Sequence, residues 1–255
     1  MNHLIAVAGK GGVGKTTVAA LLVMRLLQRG CRPVLAVDAD PNTCLDAALG
    51  VKAVKTLGGV REDARKFAEG GMVRGMDKRR FLELRIAESL VESDDFDLLA
   101  MGRSEGPGCY CYANNVLKAV LNEMINQYPY VVLDNEAGLE NLSRRIVHRV
   151  NLVVMVTDPT GRGFETVRRL HALAGEMEIA YDNLAIVVNR LRRQEFPAAA
   201  NELKAATGAD IIVGFPEDED VLNLSEQNGN LKHLSPDNRL FAGIDRLLEI
   251  ILREL

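Results

Sequence analysis

The chain has 255 residues, 47% hydrophobic and 26% charged, with 22 Gly, 8 Pro and a formal net charge of −4. This is globular composition, long enough for one large α/β domain, and it excludes fibrous, low-complexity and disordered classes. The slight acidic balance offers no electrostatic footprint for nucleic acid or anionic lipid. No apolar run reaches the ~18 residues that a membrane span needs, and the N-terminus has no signal-peptide pattern. The expectation is a cytoplasmic protein with no nucleic-acid and no membrane partner.

The first apolar run, residues 4–7, reads as a buried strand and leads into Gly9-Lys10-Gly11-Gly12-Val13-Gly14-Lys15-Thr16-Thr17. Residues 16–29 then read as a helix that is apolar nearly all round and is stopped by Gly30. The pattern G-x-x-x-x-G-K-[ST] between a strand and a helix is a phosphate-binding loop. Its glycines let backbone N–H groups curl around phosphate oxygens, and Lys15 reaches the β- and γ-phosphates. Thr16 offers its hydroxyl to Mg²⁺, and the helix turns its positive end toward the anion. The expected ligand is therefore Mg-ATP.

Further strand-length apolar runs at 33–37, 98–101, 130–133, 152–157, 184–188 and 211–214 alternate with helix-length segments. That alternation predicts a doubly wound α/β fold, a mostly parallel sheet with helices on both faces. Asp38-Ala39-Asp40-Pro41-Asn42 follows the second run and Asp134-Asn135-Glu136-Ala137-Gly138 follows the run at 130–133. Open α/β sheets bind ligands outside the carboxyl ends of their strands, so both segments are site candidates. For each aspartate the alternative is a cap on the next helix.

Residues 51–97 carry many charges and Gly59, Gly70, Gly71 and Gly75, and are expected to be a surface insertion with a helix at 78–92. A helix at 113–127 aligns Val116, Leu117, Val120, Leu121, Met124 and Ile125 on one face. Residues 236–255 read as an amphipathic terminal helix with Leu240, Phe241, Ile244, Leu247, Leu248 and Ile251 on its apolar side. Its charged side mixes both signs, whereas a membrane-surface helix is mainly basic, so it is expected to dock on its own domain. The whole chain, 1–255, is expected to be a single domain.

Of four cysteines only Cys109 and Cys111 are close, in a Gly- and Pro-containing loop. Two thiolates one residue apart suit a soft or borderline metal but do not complete a structural site, whereas a symmetric dimer supplies four. Zn²⁺, an iron–sulfur centre or planar Ni²⁺ fits such a set, and two inert thiols are the alternative.

Lys10, a second lysine at the start of the loop, resembles the deviant Walker A signature of the MinD-type ATPases. The resemblance implies a homodimer in which Lys10 crosses to the partner's nucleotide. It implies a switch I at residues 38–42, with Asp40 positioning the attacking water and Asp38 near the Mg²⁺ shell. It also implies that Asp134 holds Mg²⁺ through water, that Asn189 recognises adenine, and that Pro216 flanks the base. The runs Met101-Gly102-Arg103-Ser104-Glu105-Gly106-Pro107-Gly108-Cys109-Tyr110-Cys111 and Asp134-Asn135-Glu136-Ala137-Gly138-Leu139-Glu140-Asn141-Leu142-Ser143-Arg144-Arg145 resemble the CooC family. These are ATPases that mature nickel enzymes, carbon monoxide dehydrogenase and, for a related branch, acetyl-CoA synthase. The resemblance implies a metallochaperone with Ni²⁺ or Zn²⁺ at Cys109 and Cys111 and a nickel enzyme as client. Asn141 stands where many relatives have histidine, which leaves the branch open. The competing readings are a MinD- or ParA-type positioning ATPase, and a reductase like the nitrogenase iron protein, whose switch II cysteine is missing between Asp134 and Gly138.

Overall fold

The computed structural model describes residues 2–69, 77–103, 111–136, 138, 149–193 and 195–252. Each apolar run becomes a strand: β1 (His3–Gly9), β2 (Val34–Asp38), β4 (Phe96–Ala100), β5 (Tyr130–Asp134), β6 (Val150–Thr157), β7 (Tyr181–Leu191) and β8 (Ile211–Pro216), with a short β3 (Leu90–Glu92) added. They form one eight-stranded sheet in the order β3-β4-β2-β5-β1-β6-β7-β8. Pairing is parallel throughout except between β3 and β4. The helices are α1 (Lys15–Gln28), α2 (Leu45–Ala48), α3 (Leu57–Glu69), α4 (Lys78–Ala87), α5 (Cys111–Ile125), α6 (Gly161–Glu176), α7 (Ala198–Thr207), α8 (Glu219–Glu226) and α9 (Leu240–Leu252).

Strand side chains alternate between two apolar layers, the reason these strands read as unbroken apolar runs. From β1, Leu4, Ala6 and Ala8 enter a layer with residues of α3 to α7, while Ile5 and Val7 enter a layer with α1, α2 and α9. Helix α1 lies against β1, β2, β5, α2 and α9, which accounts for its being buried nearly all round from Val18 to Leu26. The apolar side expected for the terminal helix is fully spent on this layer, since Leu240, Phe241, Ile244, Leu247, Leu248 and Ile251 of α9 are all buried. Asp245 fastens α9 to α1 by accepting from Arg25 Nε at 2.7 Å and Nη2 at 2.6 Å, with Arg29 at 2.8 Å.

The described residues of 51–97 are built into the domain rather than inserted on its surface. Leu57 and Val60 of α3 and Leu82 and Ile86 of α4 are buried in the sheet's second layer, and β3 closes one edge of the sheet. The helix expected at 78–92 ends at Ala87, where the Ser89 hydroxyl donates to the Ile86 carbonyl at 2.7 Å, and residues 90–92 become β3.

Candidate functional site

The loop between β1 and α1 lies at the carboxyl end of the sheet. Gly9 has φ of 152°, and a Cβ there would lie 2.3 Å from the Val156 carbonyl oxygen of β6, so a side chain is excluded by both torsion and space. Gly14 caps α1 with φ of 98°. No side chain caps this helix and no acidic residue stands in its first turn, which leaves the N–H groups around Lys15, Thr16 and Thr17 for an anion. Lys10, Gly11 and Gly12 are exposed at the crest, and Val13 anchors the loop in the core. The buried Lys15 folds back across the loop, its Nζ donating to the Lys10 carbonyl at 3.3 Å.

Asp38 and Asp134 are the last residues of β2 and β5 and lie side by side in register. The Asp38 carboxylate accepts from the backbone N–H of Asp40 at 3.0 Å, and of Cys44 and Leu45 at 2.8 Å each. Its burial raises its pKa and these three donors pull it back. The Asp38 carboxylate thus organises the loop after β2 and serves N–H groups at the start of α2. Asp134 is the opposite case. Among the described residues both its oxygens are buried without a hydrogen-bond partner, as is Asn135 Oδ1, while Asn135 Nδ2 donates to the Val7 carbonyl at 3.1 Å. Burial pushes the Asp134 pKa up to about 7, with Asp38 and Asp40 adding to the effect and Thr16 and Lys15 opposing it. The Thr16 hydroxyl is near enough to favour the carboxylate without making a well-formed hydrogen bond to it. Orphaned acceptors beside a hydroxyl at an open helix terminus fit a hydrated Mg²⁺.

Asp40 sits half-buried in the loop after β2, and its Oδ1 accepts from Asn42 N at 2.8 Å and Asn42 Nδ2 at 3.1 Å. Arg103, just beyond β4, donates to Asn42 Oδ1 at 2.6 Å. The roles of Asn42, Arg103 and Asn135 were not read from the sequence, although all three stand in the motif runs quoted above.

On the other side of the loop, Asn189 Nδ2 donates to the Val13 carbonyl at 2.8 Å and its Oδ1 accepts from Arg190 N at 3.0 Å. A Cβ on Gly14 would come within 2.4 Å of that amide nitrogen. Asn189, Arg190 and Pro216 line one open cleft with Gly14 and Thr17.

Cys109 lies outside the described residues, as do Ala137 and residues 139–145 of the second motif run, and Cys111 is the first residue of α5. Cys44 is exposed near the carboxylates, but burial and then Asp38, Asp40, Asp134 and Asp46 push its thiol pKa up, which makes it a poor metal ligand. Among the described residues no group of three or more His, Cys, Asp or Glu is placed to hold a metal.

The sequence profile of the CobQ/CobB/MinD/ParA nucleotide binding domain matches residues 4–231. The chain belongs to that family. It is 36% identical to an uncharacterized ATP-binding protein of Methanocaldococcus jannaschii over 98% of this chain and 99% of that one. It is 31% identical to the carbon monoxide dehydrogenase accessory protein CooC of Rhodospirillum rubrum, over 69% of this chain and 70% of that one. In fold it is similar to the septum site-determining protein MinD complexed with Mg-ADP from Pyrococcus horikoshii, with a TM-score of 0.69 at 19% identity over 99% of this chain and 97% of that one. Among the described residues no helix is long and apolar enough to cross a membrane.

Proposed function

We propose that this CobQ/CobB/MinD/ParA-family protein hydrolyses Mg-ATP as a nucleotide-dependent homodimer and uses the cycle to deliver nickel to a client, carbon monoxide dehydrogenase or acetyl-CoA synthase. The observation that carries the hydrolytic part is the buried, unpartnered Asp134 carboxylate facing Thr16 at the uncapped start of α1. In this reading Lys15 leaves the Lys10 carbonyl for the β- and γ-phosphates, and the N–H groups at the start of α1 hold their oxygens. Thr16 and Asp134 would hold a Mg²⁺, which would supply neutralising charge for the phosphates. Asp38 braces the loop that carries Asp40, and Asp40 orients the attacking water. Asn189 and Pro216 hold the base. The exposed Lys10 reaches the nucleotide of the second subunit.

Nickel delivery is supported by the likeness to CooC and by the Cys109-x-Cys111 pair, which a twofold axis would double to four thiolates. A positioning ATPase of the MinD or ParA type uses the same scaffold. A terminal helix that bound membrane would have to expose an apolar face, and α9 spends that face on the core.

The test combines metal analysis with light scattering on purified protein given ATP and Ni²⁺. Wild type should form a dimer holding one metal ion, and Cys109→Ala/Cys111→Ala should lose the metal. Lys10→Ala should lose the ATP-dependent dimer while the monomer keeps its ADP affinity, and Lys15→Ala should lose turnover. The cysteine assignment fails if the double variant holds the same metal at the same ratio. Normal maturation of the nickel enzyme in cells carrying that variant would remove the delivery role.

A further inference from the structure

Asp40 is the carboxylate assigned to the attacking water, yet no hydrogen bond from the phosphate loop fixes it. What fixes it is Asn42, which donates twice to the same oxygen, from its backbone N and its side-chain Nδ2. The Asn42 amide is itself held from the far side by Arg103. The direction of this chain follows from donor and acceptor chemistry alone. A carboxylate only accepts and a guanidinium only donates, so the amide between them must turn its NH₂ to Asp40 and its oxygen to Arg103.

Arg103 belongs to a different strand end from Asp40. The chain just before it is tied down on two sides, since Met101 N donates to the Asp38 carbonyl at 2.7 Å and the Met101 carbonyl accepts from Gly58 N at 2.8 Å. Gly102, with φ of 61°, is packed so closely that a Cβ would lie 2.5 Å from Thr56 Oγ1. Asp38 holds the backbone of the loop through the N–H groups of Asp40, Cys44 and Leu45, whereas the Asp40 carboxylate accepts from the exposed Asn42, beside which Thr43 adopts φ of 46°. A contact between two exposed side chains adds little to folding stability. The same contact is worth much more if it aims a catalytic group, because small misplacements of reacting groups lower the rate steeply.

We propose that Arg103, acting through Asn42, is a positioning residue for the Asp40 carboxylate, so that the backbone leaving β4 governs the rate of ATP hydrolysis. This rests on the reading of Asp40 as the group that orients water.

The experiment measures steady-state ATPase kinetics and ADP binding for wild type, Arg103→Ala, Asn42→Ala, the double variant, Arg103→Lys and Asp40→Ala. Arg103→Ala and Asn42→Ala should each lower kcat roughly tenfold, with KM and ADP affinity within about twofold of wild type. The double variant should be no slower than the worse single one, because both residues act in one chain, and Arg103→Lys should recover part of the rate. Melting temperatures should stay near wild type, as both side chains are exposed. Undiminished kcat in Arg103→Ala, multiplicative losses in the double variant, or a fall of ADP affinity in step with kcat would each overturn the proposal. Full activity in Asp40→Ala would instead bring down the reading beneath it. An inactive Asp40→Ala beside a fully active Arg103→Ala removes the positioning role alone.

Discussion

A carboxylate buried, as at Asp134, with no well-formed hydrogen bond among the described residues works against folding in its charged form. Its pKa of about 7 lies above the ordinary carboxylate value, so the folded chain binds this proton more tightly than the unfolded chain does. The stabilisation from protonation is therefore complete below the ordinary carboxylate range and is lost as pH rises through about 7. Without metal or nucleotide, the protein should melt at a lower temperature at pH 8 than at pH 6. Asp134→Asn should remove that difference and be the more stable protein at pH 8, by a few kcal/mol at most, while losing Mg²⁺-dependent turnover. Calorimetry at the two pH values checks the first part, and a variant that melts like wild type at pH 8 contradicts it. The cost in stability is what one expects of an acceptor kept bare for a cation.

Helix α9 is the element whose removal the fold should feel most directly. Leu247 lies fully buried in the layer that also holds α1, so Leu247→Ala should destabilise the protein by about 2 to 5 kcal/mol through lost burial and the cavity left behind. Denaturant titration measures it, and the ADP affinity of the folded protein should be unchanged. This helix was legible in the sequence because its apolar residues recur at helical spacing for three turns. The phosphate loop was legible because its chemistry demands particular residues at fixed intervals. The part that residues 51–97 play in the core was hidden for a physical reason: the buried Leu57, Val60, Leu82 and Ile86 of α3 and α4 stand within a strongly charged stretch that obscures the period. Strand β3 has three residues, too few for alternation to show, and so it was absorbed into the preceding helix. The bond between Asn42 and Arg103 spans 61 positions, and no local pattern announces a contact at that range. Asn189 and Pro216, by contrast, came from the resemblance to the MinD-type ATPases, and both line one cleft with Gly14 and Thr17.

Across the whole molecule the strand order divides the site. β1 carries the phosphate loop, with β5, β2 and β4 on one side of it and β6, β7 and β8 on the other. Asp134, Asp38 with its loop to Asp40, and Arg103 all stand at the ends of the first three, whereas Asn189 and Pro216 stand at the ends of β7 and β8. Substitutions in the two halves should therefore have different kinetic signatures. Asn189→Ala should weaken nucleotide binding and raise KM with kcat largely kept, the mark of an interaction made equally in ground and transition states, while Asp40→Ala should abolish kcat with ADP affinity kept. Parallel titration and turnover measurements decide it, and a loss of kcat alone in Asn189→Ala would count against the division. A partition of this kind makes the fold modular in the engineer's sense. Grafting the segments that follow β2, β4 and β5 from one family member into another should transplant the output, leaving the recipient's grip on its nucleotide in place.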